Sequence, residues 1–561
     1  MEALVNEFED MCRNAALVQE EILGAIVEHN ASCEYLRSYN VTDTDSFKAH
    51  IPIVDYEDIA ARIQRMADGG PGSVLCKDPV IVFILSSATT TDKRKAFPLT
   101  TKSRSLKNHA DKISAGYRER YIMLSQQNLI NSSLAFMYAQ PHGTLSKSGL
   151  PIMPGSSFYF TSQVYKERPS RSTSTDEVIF GPWWESTYCH LLSGLILRTE
   201  VDYITSFFAY TLVHAFNMLE AEWRNLCYDI RTGKLDERVK DVKLRAAVVG
   251  VLREDPDSAG SIEEVCSSNV SWDQGIVLKL WPKAKYLLTV VTGGMKPYIP
   301  ALRRYAGGVH IMGRAYIGSE GVYGINIDPA TEPENVVFTL VPTTLYMEFL
   351  RLRDNKLVDS SNLEISEQYE LVITTHSGLY RYKVGDVVKV VAFFHESPQM
   401  AFEYRRSAVL SVSLDMTSEQ ELQNVVRRTC IEANLEIVDF TSHSNLSEQP
   451  GHYVIYWELK NEPNIYSNHA LLNRCCNVLD RSFTSILYIT GRRTGTIGPL
   501  KLVTVKKGCF GRLLEHAVRN GSAAGQYKTP RCIKSPKVLE ILEGEIVTTY
   551  RSSEYLPKDH I

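Results

Sequence analysis

Residues 80–98 read VIVFILSSATTTDKRKAFP, a β-branched apolar run that stops at a cluster of hydroxyl side chains and then at Lys93, Arg94 and Lys95. A short apolar run bounded by turn residues predicts a buried strand, Val80 to Leu85. Hydroxyls and turn amides at a strand end can cradle phosphate, and cations behind them can neutralise it. The glycine spacing of a Walker A loop is absent. Taken alone, such a turn is more often a solvated loop.

Two other stretches set polar residues against strand-like runs, where α/β proteins hold ligands. In MGRAYIGSEGVYGINIDP, residues 312–329, Tyr316, Gly318, Ser319, Glu320 and Gly321 form a tight polar turn. One carboxylate among glycines can hold a magnesium ion that phosphates also ligate, although a capping Glu in a surface turn has the same appearance. In HSGLYRYKVGDVVKVVAFF, residues 376–394, Gly385-Asp386 interrupts two strand-like runs. Asp386 can accept both hydroxyls of a ribose, yet Gly-Asp is also ordinary hairpin chemistry.

Outward from these stretches, the chain is long and mixed. Its 561 residues predict more than one domain, and a net charge of -4 without a basic run interleaved with aromatics argues against nucleic acid. The 11 cysteines show no zinc spacing, which points to free thiols in a reducing, cytoplasmic setting. No secretory signal is visible at the N-terminus. Tyr203 to Leu219 is uncharged but too polar and short for a membrane span, and reads as a buried core element. Leu4, Phe8, Met11, Ala15, Val18, Ile22 and Ile26 recur at helical spacing and predict an N-terminal helix docked on the core. Strands are predicted near Phe158 to Val164, and the middle section is mostly sheet, in FTLVP, LYMEFL, YELVITT and VVKVVAFF. After about Ser411 the βαβ-like alternation predicts a small separate domain.

Together, Ser86-Ser87-x-Thr89 after a strand, Tyr316 with Ser319-Glu320, and Tyr382-x-x-Gly385-Asp386 come in the order and spacing of the three nucleotide-binding motifs of adenylate-forming enzymes. More narrowly, the chain resembles the plant Gretchen Hagen acyl acid amido synthetases, which join jasmonate, auxin or benzoate-type acids to amino acids. STYCHLLSGLILR, VTGGMKPYIPALRRYAG, GLYRYKVGDVV, EQPGHYVIYWEL, CCNVLDRSF and SAAGQYKTPRC carry the likeness nearly end to end.

The resemblance implies an α/β (α+β) fold of luciferase-like architecture: a large N-terminal domain, residues 1–410, with a β-barrel and flanking α/β sheets, and a small mobile C-terminal α/β lid, residues 411–561. It implies ATP and Mg2+ as cofactors and a small carboxylic acid and an amino acid as partners; a monomer is the default expectation, and the composition points to neither nucleic acid nor membrane. Ser86, Ser87 and Thr89 would hold the phosphates and Glu320 the metal, beside Tyr316 and Ser319. Asp386 would bind the ribose, with Tyr382 and the hinge residue Arg405 also at the nucleotide. Lys528 would reach the phosphates when the lid closes, and so counts with Glu320 as catalytic.

The acyl acid would meet Phe208, Tyr210, Thr292, Arg314 and Val322. The Ser-Glu-Gly turn looks most like the jasmonate branch, although that branch's histidine and tryptophan stand here as Arg314 and Val322; a jasmonate-type acid is favoured over auxins and benzoates. Arg314 would pair with a substrate carboxylate or with a structural acid, two equal readings. Other departures from the family pattern are Ala88, Asp92, Lys383 and Met416. They leave open an alternative, a catalytically impaired homologue that binds acid or nucleotide and acts by sequestration.

Overall fold

The computed structural model describes residues 2–86, 95–124, 132–140, 143–166, 171–268, 272, 274–406, 409–412, 415, 417–460 and 468–554. The described chain is mixed α/β. It divides into two compact units, one made of the residues up to Ser86, Lys95–Val384 and Val388–Phe402, the other of Gly385–Val387 and the chain from Glu403 onward.

Within the first unit a five-stranded sheet runs in the order Arg171–Ser172, Ser132–Phe136, Tyr203–Phe208, Tyr286–Val290, His310–Gly313, every neighbour parallel. Parallel strands are covered on both faces and so read as unbroken apolar runs. That is why Tyr203 to Leu219 looked like one element. The chain instead leaves the strand Tyr203–Phe208 directly into the helix Ala209–Thr232, which ends at Gly233 with φ 62°. A smaller sheet orders Ala96–Thr100, Val80–Leu85, Pro151–Pro154 and Thr144–Leu145, with the first strand's predicted limits reproduced.

An eight-stranded sheet runs Tyr316–Ile317, Val322–Ile325, Phe338–Leu340, Ser397–Arg405, Tyr382–Phe394, Gln368–Thr374, Tyr346–Arg351, Leu357–Asp359. Its Tyr382–Phe394 strand is continuous through Gly385-Asp386, so the expected interruption there is a local kink: Gly385 takes φ 83° inside the strand. A φ in that region favours glycine, which lacks the Cβ that would meet the following carbonyl.

The N-terminal stripe resolves into two helices, Glu2–Arg13 and Ala15–Asn30. The first buries Val5, Phe8 and Cys12 against Ala110, Ile113 and Tyr117 of the helix Thr101–Leu124 and against Val322, Ile325 and Val341. The second places Gln19 in the core, where its amide nitrogen donates to the carbonyls of Pro342 at 2.6 Å and Leu345 at 2.9 Å and its oxygen accepts from Met347 N–H at 2.8 Å. The strands predicted near Phe158 to Val164 are instead the helices Gly155–Thr161 and Gln163–Lys166. Pro154 stands immediately before the first, a position that its fixed φ suits, and Phe160 then packs on Ala139, Tyr165 and Ile179.

The second unit carries a four-stranded sheet, Ile437–Asn445, His452–Leu459, Lys501–Val505, Ile546–Arg551. The middle pair is parallel, and the helices His469–Arg481 and Ile486–Thr494 lie between these strands in the chain, which gives the expected βαβ crossover. Trp457, Tyr453, Leu479, Tyr488 and Leu502 belong to its core. Among the described residues no helix is long and apolar enough to cross a membrane, and the cysteines are free.

One buried ion pair fixes the turn before the third motif. Arg381 takes φ 45°, a strained conformation for a side-chain-bearing residue. Its guanidinium grips Glu348 through two bonds, at 3.0 and 2.7 Å, and also donates to the carbonyls of Lys48 and Ile51. Arg381→Met should destabilise the chain by about 3 kcal/mol, because Glu348 is left buried without its partner. Urea denaturation checks this, and a midpoint equal to the parent's would show that the pair is dispensable.

Candidate functional site

In the first unit the site is built around the hairpin that joins the strands Tyr316–Ile317 and Val322–Ile325. The turn closes with Gly318 N–H donating to Gly321 C=O at 2.9 Å. A Cβ on Gly318 would lie 2.3 Å from Tyr323 Oη and 2.6 Å from a Glu320 carboxylate oxygen, so only glycine lets Glu320 fold back over the turn. Tyr323 Oη donates to that same oxygen, Oε2, at 3.1 Å. Tyr316 is buried, its ring against Tyr323, Phe338 and Phe402, and so anchors the hairpin from below.

The helix Thr101–Leu124 runs beside this turn and contributes residues that the sequence reading missed. Lys107, Asp111, Ser114 and Arg118 recur at intervals of three and four, one face of the helix. Lys107 Nζ donates to Gly318 C=O at 3.2 Å and feels the charge of Glu320. Burial pushes the Lys107 ammonium down, opposed by Asp111 and Glu320, and pushes the Asp111 carboxyl up, opposed by Lys107, Arg314 and Arg118. The Asp111 side chain is nonetheless exposed to solvent. A polar stripe of this spacing was the available signal, but on sequence it is indistinguishable from a solvated helix face.

Arg314 stands just after the strand His310–Gly313. It donates to Ser206 C=O at 3.1 Å and to Thr205 Oγ1 at 2.6 Å, and its guanidinium lies 5.4 Å from the centroid of the Phe207 ring. The structural acid allowed for on sequence is absent from its contacts; Asp111 acts on it only at longer range. Phe208 ends the strand Tyr203–Phe208, and its C=O accepts from Ser206 Oγ at 2.7 Å, on the segment that Arg314 grips. Tyr210 opens the following helix and packs edge-on against Tyr298, in the 3-10 turn Gly293–Tyr298 that Thr292 introduces. Gly293 takes φ 59°, and a Cβ there would strike the Phe402 ring at 2.9 Å. Val322 is set apart from these residues, in the core cluster with Val5, Phe8 and Ile113.

Of the first motif, Ser86 closes the strand end, donating N–H to Lys95 C=O at 2.8 Å and accepting from Lys95 N–H through Oγ at 3.2 Å. Ser87 and Thr89, with Ala88, Asp92, Lys93 and Arg94, lie outside the described residues, as does Met416. Tyr382 is buried edge-on to Phe97, and Lys383 Nζ lies 3.0 Å from an Asp55 carboxylate oxygen.

The second unit gathers its own cluster. Asp386 lies 3.2 Å from Arg405 Nε, and Arg406 N–H donates to Gly385 C=O at 2.8 Å, so the kink at Gly385 is tied to the chain at residues 405–406. Glu419, in the first turn of the helix Glu419–Ala433, is within electrostatic reach of Arg531, Lys528, Arg405 and Asp386. Burial raises its carboxyl, the three cations lower it, and Asp386 raises it further. Lys528 sits at the head of a strap laid along the strand Ile437–Asn445. Thr529 Oγ1 donates to Asp439 at 2.6 Å, Arg531 pairs with Asp439, Thr441 and Ser442 hydroxyls donate to the carbonyls of Pro530 and Arg531, and Ile533 N–H donates to Ser442 C=O at 2.7 Å. A flexible lysine on so fixed a strap is a cation whose origin is set by backbone and whose reach is set by its own stem.

Among the described residues no three His, Cys, Asp or Glu side chains converge on one point. An ion at Glu320 would therefore complete its shell with phosphate oxygens and water, as magnesium does, and Glu320 Oε1 has no hydrogen-bond partner among the described residues.

Comparison with known proteins identifies the family. Family models for the N-terminal, central and C-terminal domains of the GH3 family match residues 4–311, 338–405 and 420–537. The chain belongs to the GH3 family. It is 37% identical to an indole-3-acetic acid-amido synthetase GH3.10 of Arabidopsis thaliana, over 98% of each chain, and 38% identical to the jasmonoyl-L-amino acid synthetase JAR6 of Nicotiana attenuata, over 99% of this chain and 97% of that one. The solved structure of a GH3.15 acyl acid amido synthetase superposes with a TM-score of 0.89 at 33% identity, covering 99% of this chain and 98% of that one.

Gly318→Ala should cost about 1–3 kcal/mol, since a methyl cannot share the turn with Tyr323 and Glu320 unless the hairpin shifts. Its urea midpoint against the parent's measures this; an unchanged midpoint means the hairpin relaxes freely.

Proposed function

We propose that this protein is an ATP- and magnesium-dependent ligase that joins a small hormone-like carboxylic acid to an amino acid through an acyl-adenylate. The observation that carries the proposal is the fixed hairpin: Glu320 held over a glycine that tolerates no side chain, with Lys107 beneath and Arg314 at the head of the same segment. In the first half-reaction a carboxylate oxygen of the acid attacks the α-phosphorus of ATP and pyrophosphate departs. In the second, the amino-acid amine attacks the acyl carbon, the C–O bond to AMP breaks, and the amine proton passes to solvent or base.

The chain's part is positioning and charge. Glu320 would hold Mg2+, which supplies positive charge to the phosphates. Ser86, Ser87 and Thr89 would cradle the phosphates, with Tyr316 and Ser319 at the nucleotide. Asp386, with Tyr382 and Arg405 nearby in sequence, would take the ribose. Lys528 would bring a further cation from the lid, residues 411–561, during turnover. Phe208, Tyr210, Thr292 and Arg314 are the proposed acid contacts, Val322 being withdrawn into the core, and a jasmonate-type acid heads the panel on the strength of the Ser319-Glu320-Gly321 turn. The setting proposed is cytoplasmic and the protein monomeric.

AMP release with ATP, a panel of jasmonate, indole-3-acetate and benzoates, and mixed amino acids tests the proposal. Activity dependent on acid, amino acid and magnesium is expected; acid binding without AMP release from any acid would make the chain an impaired, sequestering homologue. Asp386→Ala should weaken ATP binding by about ten-fold, the loss of one charge-assisted contact, and an unchanged ATP affinity would remove Asp386 from the nucleotide. Lys528→Ala is expected to lower kcat by about 100-fold while leaving acid binding intact.

A further inference from the structure

The strap that carries Lys528 is pinned in two places. From Pro530 onward it is held along its backbone. The Thr441 and Ser442 hydroxyls donate to the carbonyls of Pro530 and Arg531, Cys532 bridges to Ser442, and Ile533 N–H donates to Ser442 C=O at 2.7 Å. The Ile533 carbonyl lies 3.1 Å from His443 Nδ1, and the Arg531 guanidinium lies 4.3 Å from the centroid of the Phe440 ring. These contacts set the register of the strap on the strand Ile437–Asn445, and none of them involves a residue adjacent to Lys528 in the chain.

The second place is the buried carboxylate of Asp439. Its Oδ1 accepts from Phe440 N–H at 2.8 Å and pairs with Arg531; its Oδ2 accepts from Thr529 Oγ1 at 2.6 Å. The Tyr527 phenol interacts with the same Thr529 side chain and feels the charge of Asp439. Lys528 is thus bracketed by two buried neighbours, Tyr527 and Thr529, at 6% and 5% exposure, and among residues 527–533 it alone is not buried. A β-branched side chain has few rotamers, and a hydroxyl given to a carboxylate selects one of them, which fixes the backbone from which the lysine stem departs. A cation delivered from a displaced origin misses its target, and about 1 Å of misplacement can cost on the order of 100-fold in rate.

We propose that Thr529, braced by Asp439, is a positioning residue that sets the direction in which Lys528 leaves the strap. The inference rests on the ligase reading above, in which Lys528 meets the phosphates. The strap's hold on the sheet does not need this bond, since the backbone contacts from Pro530 onward and the Arg531 pair are made without it.

Thr529→Val tests it in the full chain, because it keeps size and branching and removes only the hydroxyl; Thr529→Ala takes its place should that variant fail to fold. It should lower kcat for AMP release by about ten-fold and leave KM for the acid within about two-fold of the parent. Thr529→Ser, which keeps the hydroxyl, should recover most of the rate. In a Lys528→Ala background the valine should cost nothing further, since a residue that acts through the lysine has nothing left to act on. A threonine with a merely structural role would lower kcat by the same factor in both backgrounds; that result, or parental kcat in Thr529→Val, overturns the inference. A second readout needs no catalysis: the rate at which an amine-acetylating reagent modifies Lys528, followed by mass spectrometry. Glu419 acts on the Lys528 charge, so a lysine released from its set direction should acetylate at least about three-fold faster in Thr529→Val and within about two-fold of the parent in Thr529→Ser. Equal or slower acetylation in the valine variant overturns the inference. No AMP from the parent with any acid refutes the ligase, and the acetylation rates then decide the positioning role alone. AMP release unmoved by Lys528→Ala keeps the ligase and refutes the positioning role.

Discussion

The first unit depends on a single helix having two incompatible faces. Thr101–Leu124 buries Ala110, Ile113 and Tyr117 against the N-terminal helix and the strand Val322–Ile325, and Ile122 against the parallel sheet. With those contacts fixed, the stripe of Lys107, Asp111 and Arg118, which Ile122 continues on the same face, is held beside the hairpin. Burial of the apolar face, worth roughly 1.5–3 kcal/mol per large side chain, offsets the cost of the charges held there. The hairpin of Glu320 is set by the same contacts, because Val322 at its exit is part of the packed cluster.

Charge in this protein is local. A net charge of -4 describes the whole chain and says nothing of the place where Lys107, Arg118 and Arg314 act on one acid, Asp111. In the second unit the same economy recurs in another form. Arg531 and Asp439 are buried as a pair, and their value is geometric: they fix the strap that carries Lys528, while Glu419 stands among the cations of its own unit. Removing either partner of such a pair would strand a charge, so its retention speaks for placement more than for stability.

Much of the fold was legible in the sequence. The strand Val80–Leu85 lies where its β-branched apolar run put it, and the chain after Ser411 does form a βαβ crossover, between the parallel strands His452–Leu459 and Lys501–Val505. Errors fell where local signals conflict. Aromatic residues after Pro154 read as strand, but Phe160 is buried on a helix; Gly385-Asp386 read as an interruption, but one positive φ lets the strand continue. Tyr203 to Leu219 looked uniform because a parallel strand and the helix after it are both covered on all sides.

By itself the sequence determined the α/β class and the family, because each depends on the pattern of residues along the chain. Only the tertiary structure decided which charges share a wall. Lys107 and Glu320 are separated by more than two hundred positions, and Arg118 and Arg314 by nearly as many, and periodicity cannot say which faces of two distant elements will meet. That is settled by packing, through Ile122 on Met312 and Ile113 on Val322. The same contact that looks like ordinary core thus fixes which charged side chains stand together.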